Sequence, residues 1–133
     1  IDDRFPIKWK TDDKLTVCNI NADKDLLKRA ISNLIQNSIT HNENGCAIYV
    51  SVSTYNNKCI ICVEDNGIGV SDEQIEKLNH TPHYMVCDTN TTEQRHGLGL
   101  LIVKQIMDGH SGTVIIEHSE YYGGFKTELT IPL

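Results

Sequence analysis

Long apolar runs are missing from this chain: the longest uncharged stretches are a few residues, as in Ile60-Ile61-Cys62-Val63, where a bilayer-crossing helix needs about 20. A span through a membrane is excluded on that ground. Basic residues are in the minority, 12 Lys and Arg against 18 Asp and Glu, for a net charge of −6. Duplex nucleic acid is thereby disfavoured as a partner, because its phosphates demand a basic stripe. A phosphorylated small molecule carrying Mg²⁺ stays compatible, since backbone N–H groups and the ion supply a local positive field. A disulfide framework is lacking too. The five cysteines at 18, 46, 59, 62 and 87 are odd in number, scattered, and follow no secretory leader, which points to a reducing, cytoplasmic setting. Cys59 and Cys62 have the C-x-x-C spacing of a metal or redox site, but they fall in a segment, Lys58–Glu64, that reads as a strand. Residues three apart on a strand point to opposite faces and cannot share one ion.

What is present is the composition of a globular protein, 39% hydrophobic and 23% charged over 133 residues, which fits a single domain over residues 1–133. Pro6 with alternating Ile7 and Trp9 suggests an edge strand or a lead-in, and the abrupt start suggests a fragment of a longer chain. Leu15, Val17 and Ile20 read as a strand. Asn21 to Asp25 offers caps and first-turn acids for a helix from Leu26 to about His41, whose stripe is Leu27, Ile31, Leu34 and Ser38 with Ile35 and Ile39 beside it. Ala47–Thr54 and Lys58–Glu64 alternate as strands around a tight Asn56-Asn57 turn. A short capped helix is expected from Ser71 to Leu78. Asn79 to Gln94 has no period and reads as a lid. A further amphipathic helix is expected over Leu98–Met107, entered through glycines, and strands over Thr113–His118 and Lys126–Ile131 close the chain. Pairing of consecutive strands predicts an α/β protein of the α+β type. Its form would be a two-layer sandwich, with a mixed, mostly antiparallel sheet of about five strands and three helices on one face.

Three clusters carry candidate chemistry. Asn33 and Asn37 lie four apart on the first helix and share a face, placed on the far side from the Leu27-Ile31-Leu34 stripe. A carboxamide oxygen can ligate Mg²⁺ while its NH₂ reaches a phosphate; equally, two asparagines can decorate a solvated face. Asp65-Asn66-Gly67-Ile68-Gly69 follows an apolar strand. There a carboxylate can accept from an exocyclic amine and glycines allow close approach, although Asp-Asn-Gly is also an ordinary turn. Arg95-His96-Gly97-Leu98-Gly99-Leu100 leads into a helix whose N–H groups and dipole suit phosphate oxygens, with a plain glycine hinge as the alternative.

In this order the clusters resemble the sensor histidine kinase branch of the ATPase superfamily that also holds gyrase, mismatch-repair ATPases and a heat-shock chaperone. Leu34–Ser38 looks like its N box, Asp65–Gly69 its G1 box and His96–Leu100 its G2 box. The tail from His110 to Pro132 is similar to its closing strands, so the resemblance runs from about Asp23 onward. It implies the Bergerat ATP-binding fold, with ATP and Mg²⁺ as cofactors. Under it, Asn37 holds Mg²⁺, Asn33 assists at the phosphates, Asp65 reads the adenine amine, and Gly67 and Gly69 shape the base pocket. Arg95, His96, Gly97, Leu98, Gly99 and Leu100 line the phosphates, with the two glycines admitting them. His41 stands where the family often places an aromatic ring. Three departures are plain. Thr40 occupies the place of a frequent phosphate-binding lysine, which leaves Arg95 or Lys104 to serve; Arg95 replaces a first glycine; and no Phe-x-x-Phe pair lies between Gly69 and Gly97.

The hydrolysing relatives carry a glutamate base four residues before the N-box asparagine, where this chain has Asn33. An amide takes no proton at neutral pH. The resemblance therefore implies a protein-histidine kinase catalytic domain. It would donate the γ-phosphate of ATP to a histidine on a separate dimerisation domain of the same kinase, in two-component signal transduction with a response regulator. None of the six histidines has the helical setting of an acceptor, so no catalytic residue and no self-phosphorylation are expected within the fragment. It is expected to be monomeric, without direct membrane contact, and cytoplasmic within a membrane-anchored whole. A regulatory nucleotide-binding module without catalysis is the alternative, and a pure interaction domain the third reading.

Overall fold

The computed structural model describes residues 3–11, 22–80 and 92–133, with side chains from residue 99 in the last stretch. The strand expected around Leu15, Val17 and Ile20, and most of the expected lid, lie outside the described residues. The element order is β1 (Ile7–Thr11), α1 (Lys24–His41), β2 (Ile48–Tyr55), β3 (Lys58–Asp65), α2 (Asp72–His80), α3 (Thr92–Gly109), β4 (Thr113–His118) and β5 (Phe125–Pro132).

Among the described residues five strands form one sheet, in the order β1-β2-β3-β5-β4. β1 runs parallel to β2 and every other pair is antiparallel. This is the mixed sheet that the alternating segments predict. Between β2 and β3, Asn56 (φ 50°) and Asn57 (φ 62°) are both left-handed, the type I′ geometry whose twist matches that of the strands. Along β3, Cys59, Ile61, Val63 and Asp65 are buried while Ile60, Cys62 and Glu64 are half-buried, so the two cysteines do lie on opposite faces. On the covered face Ile48, Val50, Ile61, Val63, Leu129 and Ile131 pack against Ala30 and Leu34 of α1 and Leu100, Val103 and Met107 of α3. Register puts Ile7 and Trp9 beside Ile48 and Val50 on that face, yet at the sheet edge they stay 40% and 66% exposed.

Capping sets the start of α1. Asp23 accepts from Asp25 N–H and Leu26 N–H through Oδ1, so the helix begins at Lys24, two residues before the expected start at Leu26. The α3 boundary departs further from expectation. It begins at Thr92, not at Leu98, and runs through Gly97 and Gly99. The apolar period that marks the element starts only at Leu98, while the backbone stays helical upstream through polar residues and Gly97, a glycine being unfavourable by about 1 kcal/mol relative to alanine.

Two polar joints tie the layers. His110 Nε2 accepts the Asp23 N–H at 2.9 Å while Nδ1–H donates to Ile106 O at 2.7 Å, joining the end of α3 to the cap of α1. The Asn79 carboxamide pairs with both backbone groups of Ile116, donating to O at 2.8 Å and accepting from N–H at 2.9 Å. It thereby occupies the outer edge of β4 as a strand would.

Candidate functional site

The Asn33–Asn37 face of α1 is not solvated: α3 packs on it. Asn37 is 6% exposed, and a Cβ at Gly99 would sit 2.6 Å from Asn37 Oδ1, so only glycine lets α3 come this close. Among the described residues neither Asn33 Nδ2 nor Asn37 Nδ2, both buried, has a hydrogen-bond partner. Burying an amide donor without one costs about 1–3 kcal/mol, and such orphans in a folded protein call for an acceptor to satisfy them, from water or a ligand. The pair suits a phosphate with a hard cation: two amide groups one turn apart on α1, with Asn37 against a point of α3 that carries no Cβ.

On the other side of α1's last turn lies Asp65, 1% exposed. Its Oδ1 accepts from Gly67 N–H at 3.0 Å and Phe125 N–H at 3.1 Å, and its Oδ2 accepts from Ser38 Oγ at 2.8 Å. A carboxylate has about four acceptor positions, so Oδ2 retains one for an amine. Gly124 permits this cluster, since a Cβ there would fall 2.1 Å from Asp65 Oδ1. Gly69, with φ 68°, turns the loop, and its carbonyl meets His41 Nε2 at 2.9 Å. Because a carbonyl only accepts, Nε2 carries the proton. Beside the carboxylate, burial first and the Asp65 charge second push the Cys46 thiol up to about 11.

The structure thus brings Asn33, Asn37, His41, Asp65, Gly67, Gly69 and Gly99 to the C-terminal half of α1 and its neighbours. Gly97 stands inside α3 with Arg95, His96 and Leu98, whose side chains lie outside the described residues. Leu100 is 2% exposed and belongs to the core, so only its backbone can reach a ligand. Lys104 does not serve as a stand-in cation. Its Nζ donates to Leu78 O at the end of α2, and burial lowers its pKa. Thr40 Oγ1 accepts from Gln36 on the exposed side of α1. Sequence reasoning missed the functional weight of Ser38, Asn42 and Gly124; only Ser38, one residue beyond Asn37, carried a local signal. Among the described residues no trio of His, Cys, Asp or Glu is placed to hold a metal, and no helix is long and apolar enough to cross a membrane.

Residues 22–133 match the family profile described as histidine kinase-, DNA gyrase B-, and HSP90-like ATPase. The signal transduction histidine-protein kinase BaeS of Escherichia coli (strain K12) is 28% identical over 127 residues, covering 96% of this chain and 26% of BaeS. The sensor histidine kinase YclK of Bacillus subtilis (strain 168) is 36% identical over 115 residues, covering 86% of this chain and 24% of YclK. The chain spans about a quarter of the length of these relatives. Among solved structures, the catalytic domain of the histidine kinase ThkA superposes with a TM-score of 0.73 at 25% identity, over 97% of this chain and 78% of that one.

Proposed function

Because the chain belongs to the family of histidine kinase-, DNA gyrase B- and HSP90-like ATPases, we propose that it binds ATP with Mg²⁺ between α1, the 65–69 loop and α3, and serves as the phosphate-donating domain of a two-component sensor kinase. The acceptor is a histidine on a separate dimerisation domain of the same polypeptide, and a response regulator follows it. The observation that carries this reading is the pair of buried amides of Asn33 and Asn37, without a hydrogen-bond partner among the described residues, with Asn37 against Gly99.

Bound MgATP supplies the phosphoryl group and neutralises charge on it, so the protein's part is positioning. Asn37 would hold the ion through Oδ1, and Asn33 would donate to phosphate oxygen through Nδ2. Asp65 Oδ2, steadied by Ser38, accepts from the base amine. His41, held by Gly69, flanks the loop. Asn33 has no basicity to activate water, which favours transfer to a histidine brought by another domain over hydrolysis. The catalytic domain works on the cytoplasmic side, as a monomeric unit, within a membrane-anchored whole.

A nucleotide-binding regulatory module without catalysis is the second reading. It is favoured by the commitment of Lys104 to Leu78 and of Thr40 to Gln36, which turns both side chains away from the site.

Calorimetric titration with a non-hydrolysable ATP analogue, with and without Mg²⁺, tests the proposal on the chain and on Asn37→Ala and Asp65→Ala. Mg²⁺-dependent binding lost in both variants is expected; no binding by the intact chain would leave an interaction domain. Addition of acceptor helices then separates kinase from regulator by the presence or absence of phosphohistidine.

A further inference from the structure

Asn42 follows the last residue of α1 and is 4% exposed, although it belongs to none of the three motif clusters. Its carboxamide is engaged at both ends. Nδ2 donates to Ser38 O at 2.8 Å, and Oδ1 accepts the Ile68 N–H at 2.9 Å. The first bond satisfies a carbonyl left open at the helix end; the second fastens the middle of the 65–69 loop to that helix.

The same group explains a glycine. A Cβ at Gly67 would stand 2.1 Å from Asn42 Oδ1, 2.4 Å from Cγ and 2.6 Å from Nδ2. Gly67 is not among the positive-φ glycines, so its backbone conformation is one that alanine adopts readily. What excludes a side chain there is the space that Asn42 fills.

We propose that Asn42 is a positioning residue of the nucleotide site, fixing the 65–69 loop on α1, and that glycine at 67 is required by Asn42 rather than by the backbone. The assignment rests on the nucleotide-site reading given above. Ser38 links the two halves of the clamp: its Oγ holds Asp65 at one end of the loop while its carbonyl receives Asn42, which holds Ile68 near the other. Through these bonds the base-side carboxylate keeps a set place relative to Asn37, one residue before Ser38 on the same helix.

The test is a set of variants read by calorimetric titration of a non-hydrolysable ATP analogue with Mg²⁺, by thermal melting, and by exchange of the Ile68 amide in NMR spectra. Asn42→Ala should weaken binding about tenfold and expose the Ile68 amide to exchange, while the protein still melts cooperatively. Gly67→Ala alone should weaken binding at least as much. In the double variant the added methyl should cost less than about twofold beyond Asn42→Ala, because the group it collides with is gone. Wild-type affinity in Asn42→Ala, or the same loss from Gly67→Ala in both backgrounds, would overturn the proposal; so would a lowered melting temperature with unchanged affinity, the mark of a purely structural role. Should Asn42→Ala fail to fold, Asn42→Ser replaces it in the same cycle. Asp65→Ala runs alongside: binding retained there removes the site reading itself, whereas binding lost there with Asn42→Ala unaffected removes only the positioning role.

Discussion

Replacing Gly99 with alanine adds one methyl group to α3 at 2.6 Å from Asn37 Oδ1 and 3.2 Å from its Cγ and Nδ2. Comfortable contact begins near 3.5 Å, so the carboxamide must retreat by about 1 Å. Two effects on stability oppose each other. Alanine in a helix interior is better than glycine by about 1 kcal/mol, while forcing a methyl into a packed seam costs about 1–3 kcal/mol. Among the described residues Asn37 Nδ2 donates no hydrogen bond, so moving it breaks none there, and the cost should fall at the low end. The melting temperature should therefore change by no more than about 5 °C. Nucleotide affinity has no such compensation. A contact from Asn37 to a charged ligand is worth about 1.5–3 kcal/mol, which predicts roughly a 10- to 100-fold loss of Mg²⁺-dependent affinity. Thermal melting and calorimetric titration of the same sample read both quantities. Unchanged affinity would show that Asn37 does not face the ligand, and loss of cooperative melting would show that Gly99 serves packing alone.

Two predictions concern the frame around the site. The Cys46 thiol, raised from 9.0 to about 11 in the folded chain, keeps its proton there while the unfolded chain loses it. Stability from this group is thus fully present below about pH 9 and falls as pH rises toward 11, by on the order of 1–2 kcal/mol after allowance for solvent screening. Urea unfolding of the parent and of Cys46→Ala across that range should converge at the alkaline end, and parallel curves would refute the assignment. Asn79→Ala removes both bonds to Ile116 and uncovers the edge of β4, which should cost about 1–2 kcal/mol in urea unfolding; an unchanged midpoint would mean that water replaces the carboxamide without loss.

Local signals made α1, the β2–β3 hairpin and β5 legible, because a 3.6-residue stripe, a two-asparagine turn and strict alternation each act over neighbouring residues. The expected far-side placement of the α1 asparagines fails: Asn37 is buried together with Leu34 and Ser38 of the stripe, because three residues of helix turn through about 300° and bring Asn37 back to the flank of Leu34. Helical spacing gives an angle around the axis, and only the packing of α3 turns that side into an interior. The start of α3 was hidden because Thr92 to His96 carry no apolar period. Asn42 was silent for a related reason. Its partner in the loop, Ile68, lies 26 residues away, and nothing local in Asn42-Glu-Asn-Gly distinguishes a clamp from a helix-ending turn. Lys104 was assigned by charge alone, and charge does not say which way a helix face turns.

His110 fastens the cap of α1 to the end of α3, while Asn37 and Gly99 meet further along the same two helices. At roughly 1.5 Å per residue, about 20 Å of α1 separates the joint from Asn37. Two antiparallel rods pinned at one end part most readily at the other. A splay of about 5° at the imidazole displaces the far ends by nearly 2 Å over that length, enough to take Gly99 out of contact with Asn37. The histidine would in that sense be a fulcrum, holding one end of the seam from outside the site.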